Sequence, residues 1–169
     1  MFYYLRFVLC LIMVLIGMTT CTTNPVSEKD AVIEFWFWNP DLREYAEQRM
    51  EQEKSKLHTI QDIKNLQGQF KNIWELGDFE PTIKIVFARD LIGNCKSAAV
   101  LGQWSLKQID IESRFVNLYG NGVKPHRICM SIDNTIMITG NEVWKISPEL
   151  WQNEVLSIFS FIPYTKIKE

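Results

Sequence analysis

The chain has 169 residues, 47% hydrophobic and 22% charged, which suits one globular domain plus a targeting segment and confines disorder to the ends. A formal net charge of -2 and a pI near 5.8 give no strongly basic face, which argues against a nucleic-acid partner. Acidic and basic residues are mixed along the chain, the pattern of a solvated surface.

The first residues read MFYYLRFVLCLIMVLIGMTT. One basic residue, Arg6, precedes an apolar run from Phe7 to Met18. A run of about a dozen residues matches the apolar region of a signal peptide, whereas a spanning helix needs roughly twenty. Thr19 and Thr20 precede Cys21, and the polar stretch Thr22 to Asp30 reads as a tether. This arrangement resembles the signal of bacterial lipoproteins, in which the cysteine after the apolar region receives a diacylglyceryl group and becomes the new N-terminus. It departs from the usual pattern at Met18, where the family carries Leu, and at Thr20, where it carries Gly, Ala or Ser. The resemblance implies a signal peptide over residues 1–20, lipidation of Cys21 and a membrane partner reached through the acyl chains. It also implies a cell-envelope, periplasm-facing location. Position 22 is Thr rather than Asp, which in that family implies outer-membrane sorting in a Gram-negative cell. Ordinary signal cleavage, an uncleaved anchor and a buried N-terminal helix are the alternatives.

In the remaining 31–169 domain, Ala31 to Trp38 (AVIEFWFW) is a dense aromatic and β-branched run, either a strand or a turn of buried helix. Asn39-Pro40-Asp41 reads as a helix start, with Leu42, Tyr45 and Met50 as a thin apolar edge. A second helix is expected from Thr59, its stripe running through Ile60, Ile63, Leu66, Phe70, Ile73 and Trp74 to a stop at Gly77. Ile83 to Phe87 and Lys107 to Ile111 alternate as strands do. Arg127 to Ile132 and Thr135 to Thr139 predict an antiparallel pair turning at Asp133-Asn134. Ser147, Pro148 and Glu149 open a last helix that Pro163 stops. The expected class is α+β: N-terminal helices, a small antiparallel sheet and a C-terminal helix.

Four cysteines constrain the chemistry. Cys10 leaves with the signal and Cys21 is acylated, so Cys95 and Cys129 remain as an even pair in an oxidising compartment. A disulfide between them would close a loop of about 35 residues and stabilise by roughly 3–4 kcal/mol. Unpaired buried thiols are one alternative. A metal site built on His126 and Cys129, with Cys95 joining, is another, although only one closely spaced ligand pair is visible.

Catalytic groups are scarce. His58 and His126 are the two histidines, and neither neighbours a GxSxG nucleophile turn. Cys95 or Cys129 with His126 could form a Cys–His pair. The carboxylate pairs Asp110 with Glu112 and Glu149 with Glu154 read as surface charge. Cys129, the TIMIT run, Trp144, Ser147 and Glu154 together resemble the approach to the active helix of zincin-like metallopeptidase lipoproteins. The corresponding helix here, NEVLSIFSFIPY, carries no histidine. The resemblance therefore implies a truncated or degenerate relative, and no catalytic or metal-binding residue is carried over.

The six tryptophans mostly suit a core. Trp36 and Trp38 share one side if their segment is a strand, which makes them a candidate partner surface. The sequence thus predicts a lipid-anchored envelope protein, non-enzymatic and without a cofactor, that binds another protein or an envelope component. A decayed metallopeptidase or a Cys/His enzyme is the competing expectation.

Overall fold

The computed structural model describes residues 39–73 and 80–169, which fall within one compact unit of residues 36–169. The expectations for the signal, for Cys21 and its tether, for the Trp36 and Trp38 surface and for Trp74 lie outside the described residues. Helices and an antiparallel sheet are both present, so the protein is α+β.

The first helix, α1 (Pro40–Lys54), starts as Pro40 requires, at its own first position with Asp41 in the first turn. Its buried edge is thin: of its residues Ala46 alone is buried. Helix α2 (Ile60–Gln67) opens with a full capping box. The Thr59 side chain accepts from the Asp62 N–H while Asp62 accepts from the Thr59 N–H. This helix ends at Gly68 rather than at Gly77, because the chain turns into the two-residue strand β1 (Lys71–Asn72). Phe70 stays buried outside the helix, and Ile73 is exposed.

The strand expected at Ile83 to Phe87 is helical instead, forming α3 (Ile83–Ala88). Thr82 caps it, accepting from the Ile85 N–H at 3.4 Å, and Ile85, Val86 and Phe87 are all buried. A short buried apolar run fits a strand covered on both faces as well as a helix, and here the Thr82 cap selects the helix. Asp90 and Leu91 then take positive φ angles of 57° and 60°, and the reversal leads into β2 (Ile92–Gly93), parallel to β1.

The central element is α4 (Cys95–Gln108), capped by Asn94, whose side chain accepts from the Lys96 and Ser97 N–H groups at 3.1 and 3.2 Å. The strand expected at Lys107 to Ile111 is the end of this helix and its exit turn. The Ile111 N–H reaches back to the Leu106 carbonyl at 3.0 Å while Asp110 takes φ 58°.

Five strands form one antiparallel sheet: β3 (Ser113–Gly120), β4 (His126–Ser131), β5 (Ile136–Thr139), β6 (Glu142–Lys145) and β7 (Tyr164–Lys168), in the order β6-β5-β4-β3-β7. The β4–β5 hairpin turns at Asp133-Asn134, as expected, with Asn134 at φ 59°. Asp133 receives the Ser131 hydroxyl at 2.5 Å and the Thr135 hydroxyl at 2.9 Å, which tightens the turn. Cys129 and Ile138 join Leu101 and Leu106 in one core cluster, with Phe115 packed against it. Val116, Leu118, Ile128, Met130 and Met137 form the other with α5 (Trp151–Ile158). The alternation along β3 and β4 assigns α4 to one face and α5 to the other.

Helix α5 starts at Trp151, later than the expected Ser147. The Ser147 N–H instead donates to Glu154 Oε2 at 3.1 Å, spanning the entry loop. The helix ends at Ile158, capped by Phe159, five residues before the expected stop at Pro163, and β7 then adds an unexpected edge strand beside β3.

Candidate functional site

A groove of about 730 Å³ runs beside the C-terminal half of α4. Val100, Gln103, Trp104 and Lys107 line one wall, at the helical spacing that puts four residues on one stripe. The exit turn Asp110, Ile111, Glu112 and Ser113 supplies the second wall, and Ile83 and Ile132 complete the lining. Gln103 Nε2 donates to the Ser113 carbonyl at 3.3 Å and ties the two walls together. Trp104 is half-buried and fixed edge-on by Phe87, with ring centroids 5.1 Å apart and planes at 75°. Ile132 is 51% exposed.

The groove combines an indole and aliphatic floor with one cation, Lys107, and two carboxylates, Asp110 and Glu112. Asp110 closes the helix in the left-handed conformation, where Gly has the lowest cost. Such a surface binds by shape and burial with polar groups to orient the occupant. The alternation of Lys107 to Ile111 predicts a strand, which hides the groove in the sequence. The detectable signal was the 100, 103, 104, 107 spacing after an Asn cap.

The residues singled out for chemistry are dispersed. Cys129 is fully buried beneath α4: a Cβ added to Gly102 would lie 3.3 Å from the Cys129 Cβ. Cys95 is half-exposed at the start of the same helix, seven residues before Gly102. Seven residues of α-helix rise about 10 Å, whereas disulfide-linked Cα atoms stand within about 7 Å. Both thiols are free in the structure, and the expected Cys95–Cys129 bridge is not formed there. Burial pushes the Cys129 thiol up to about 12 against a weaker opposing hydrogen bond from Ser113, which holds it protonated.

His126 faces away from Cys129. The alternation of β4 sends Cys129 toward α4 and His126 toward α5, where its ring lies 5.0 Å from Phe159 and 6.2 Å from Tyr164. Its Nε2 stands 2.9 Å from the Thr139 hydroxyl. Burial lowers its pKa to about 4, so the ring is neutral at neutral pH. The Cys129–His126 pair, as either a metal site or a nucleophile and base, is thus split between two faces of the sheet. Among the described residues no group of three or more His, Cys, Asp or Glu side chains is placed to hold a metal ion. No described helix is long and apolar enough to cross a membrane.

Of the other residues, Trp144 is 37% exposed on edge strand β6, and Trp151 lies under the Arg114 guanidinium at 5.5 Å. Glu154 serves the Ser147 backbone rather than Glu149. Comparison of the chain with family models, with curated proteins and with solved structures gives no match.

Proposed function

We propose that this protein is a membrane-anchored cell-envelope lipoprotein, held by acyl chains on Cys21, whose α+β domain is a binding module rather than an enzyme. The groove beside α4 is its contact surface for an envelope protein or component. The observation that carries this reading is the groove itself: a tryptophan fixed by Phe87, aliphatic neighbours, and Lys107, Asp110 and Glu112 as polar groups that orient an occupant. The groups with the greatest reactive potential, His126 and Cys129, are instead buried, neutral and directed to different cores.

The test is site-specific photocrosslinking in the native envelope. A photoreactive residue at Ile132, in the groove, is compared with one at Leu150, which is 56% exposed away from it. A discrete adduct is expected from position 132, lost on Trp104→Ala and on Glu112→Lys. Adducts from position 150 alone, or adducts indifferent to both substitutions, would contradict the assignment of the groove.

A further inference from the structure

At one end of the sheet the β3–β4 turn and the connection from α5 to β7 press together. A Cβ on Gly120 would collide with the Pro163 carbonyl, so only glycine allows the approach. The Tyr164 hydroxyl donates to the Lys124 carbonyl at 3.3 Å. Phe159, buried below, packs tilted against His126 at 5.0 Å and edge-on to Tyr164 at 6.0 Å. From this rigid support Phe161 stands 78% exposed, the most exposed large hydrophobic residue among those described. Lys124 in the turn and Lys166, opposite Tyr119 in register, are both exposed at the same end. Neither has an ion-pair partner among the described residues. Of the acids near this end, Glu80 is held by Lys96 at 3.0 Å and by Arg127, and Glu142 lies on the far edge strand.

An exposed ring on a fixed base, flanked by cations that no described acid pairs with, is complementary to an anionic interface. We propose that this end of the sheet is the membrane-facing surface of the domain. Phe161 enters the headgroup region of a bilayer, and Lys124 and Lys166 meet its anionic lipids. The inference rests on the anchored reading for its strength. One ring and two lysines bind weakly alone, but a tether keeps them at high effective concentration beside the surface. The groove lies at the opposite end of the sheet, beside Ser113 and Ile132, so docking leaves it open to partners.

Hydrogen–deuterium exchange on the full chain tests this. The detergent-extracted protein is added to vesicles of phosphatidylcholine alone or with phosphatidylglycerol, and flotation is measured in parallel. Flotation with both, plus protection of amides in 120–124 and 160–162 on the anionic vesicles, is the expected result. Lys124→Gln with Lys166→Gln should lower the docked ratio on the order of 30-fold, since each lysine contributes a factor of about five. Phe161→Ser should also release the protection, with the circular dichroism of both variants unchanged. Flotation with exchange unchanged on anionic lipid would overturn docking and leave the anchor standing. Flotation and protection on anionic vesicles alone would support docking and overturn the anchor. Flotation with neither would overturn both.

Discussion

Lowering the pH should destabilise this protein through His126 before its carboxylates respond. The ring is buried in the α5 core and its pKa falls to about 4, against 6.5 for an ordinary histidine. Above about pH 6.5 both folded and unfolded chains carry it neutral, and it adds no pH dependence. Below that, the unfolded chain gains a proton that the folded chain refuses, and stability falls until the folded ring also titrates near 4. At pH 5 the difference is about 2 kcal/mol, approaching roughly 3 kcal/mol below pH 4. Asp62, Asp133, Glu47 and Glu80 are lowered by hydrogen bonds or ion pairs, so their contribution is lost only at more acidic pH. The window from pH 6.5 to 5 therefore isolates the histidine. Urea unfolding followed by tryptophan fluorescence should show the midpoint dropping by about 1 M across it, for a slope of about 2 kcal/mol/M. His126→Gln keeps a hydrogen-bonding group near Thr139 and removes the titration, so its midpoint should stay nearly level. Equal pH dependence in the two proteins would refute the assignment of a buried neutral ring.

Other expected outcomes follow from the packing around α4 and β4. Gly102→Ala should cost about 1–3 kcal/mol in a thermal melt despite alanine's helix preference, because its Cβ would sit 2.9 Å from Ile138 Cγ2. Ile138→Leu, which removes that methyl from the β-carbon, should recover part of the loss. Alkylation read by mass spectrometry should modify Cys95 in the native domain and Cys129 only after denaturation, since burial protects the second thiol. Arg114 donates to the Ser131 carbonyl at 3.1 Å, to Asn134 Oδ1 at 2.7 Å and to Glu169 at 3.1 Å. Arg114→Lys cannot span these partners, so it should destabilise by about 1–2 kcal/mol and raise amide exchange at the β4–β5 turn.

What the sequence disclosed depended on how local the signal was. Thr59 with Asp62 and Asp133-Asn134 are self-contained devices, so the start of α2 and the β4–β5 turn were legible. Helix α4 was not, because its buried face is made largely of Ser97, Ala98, Ala99, Gly102 and Ser105. Small residues let the helix sit close on Cys129 and Ile138 but give a faint hydrophobic stripe. With α4 hidden, so was the groove it walls. The α3 run misled because β-branched residues usually favour strands, and here a Thr82 cap and burial of Ile85 to Phe87 prevailed. The even count of cysteines suggests a Cys95–Cys129 pair, but pairing is a matter of distance, and two turns of α4 intervene between Cys95 and the residue above Cys129.

The central claim is that the protein is held to a membrane by acyl chains on Cys21. The most direct measurement is the intact mass of the protein extracted from membranes in detergent under non-reducing conditions, with a thiol-alkylating reagent added after denaturation. The account predicts a chain beginning at Cys21, heavier by its acyl groups, with two alkylated thiols at Cys95 and Cys129. A full-length mass, or a processed chain without acyl groups, would contradict it.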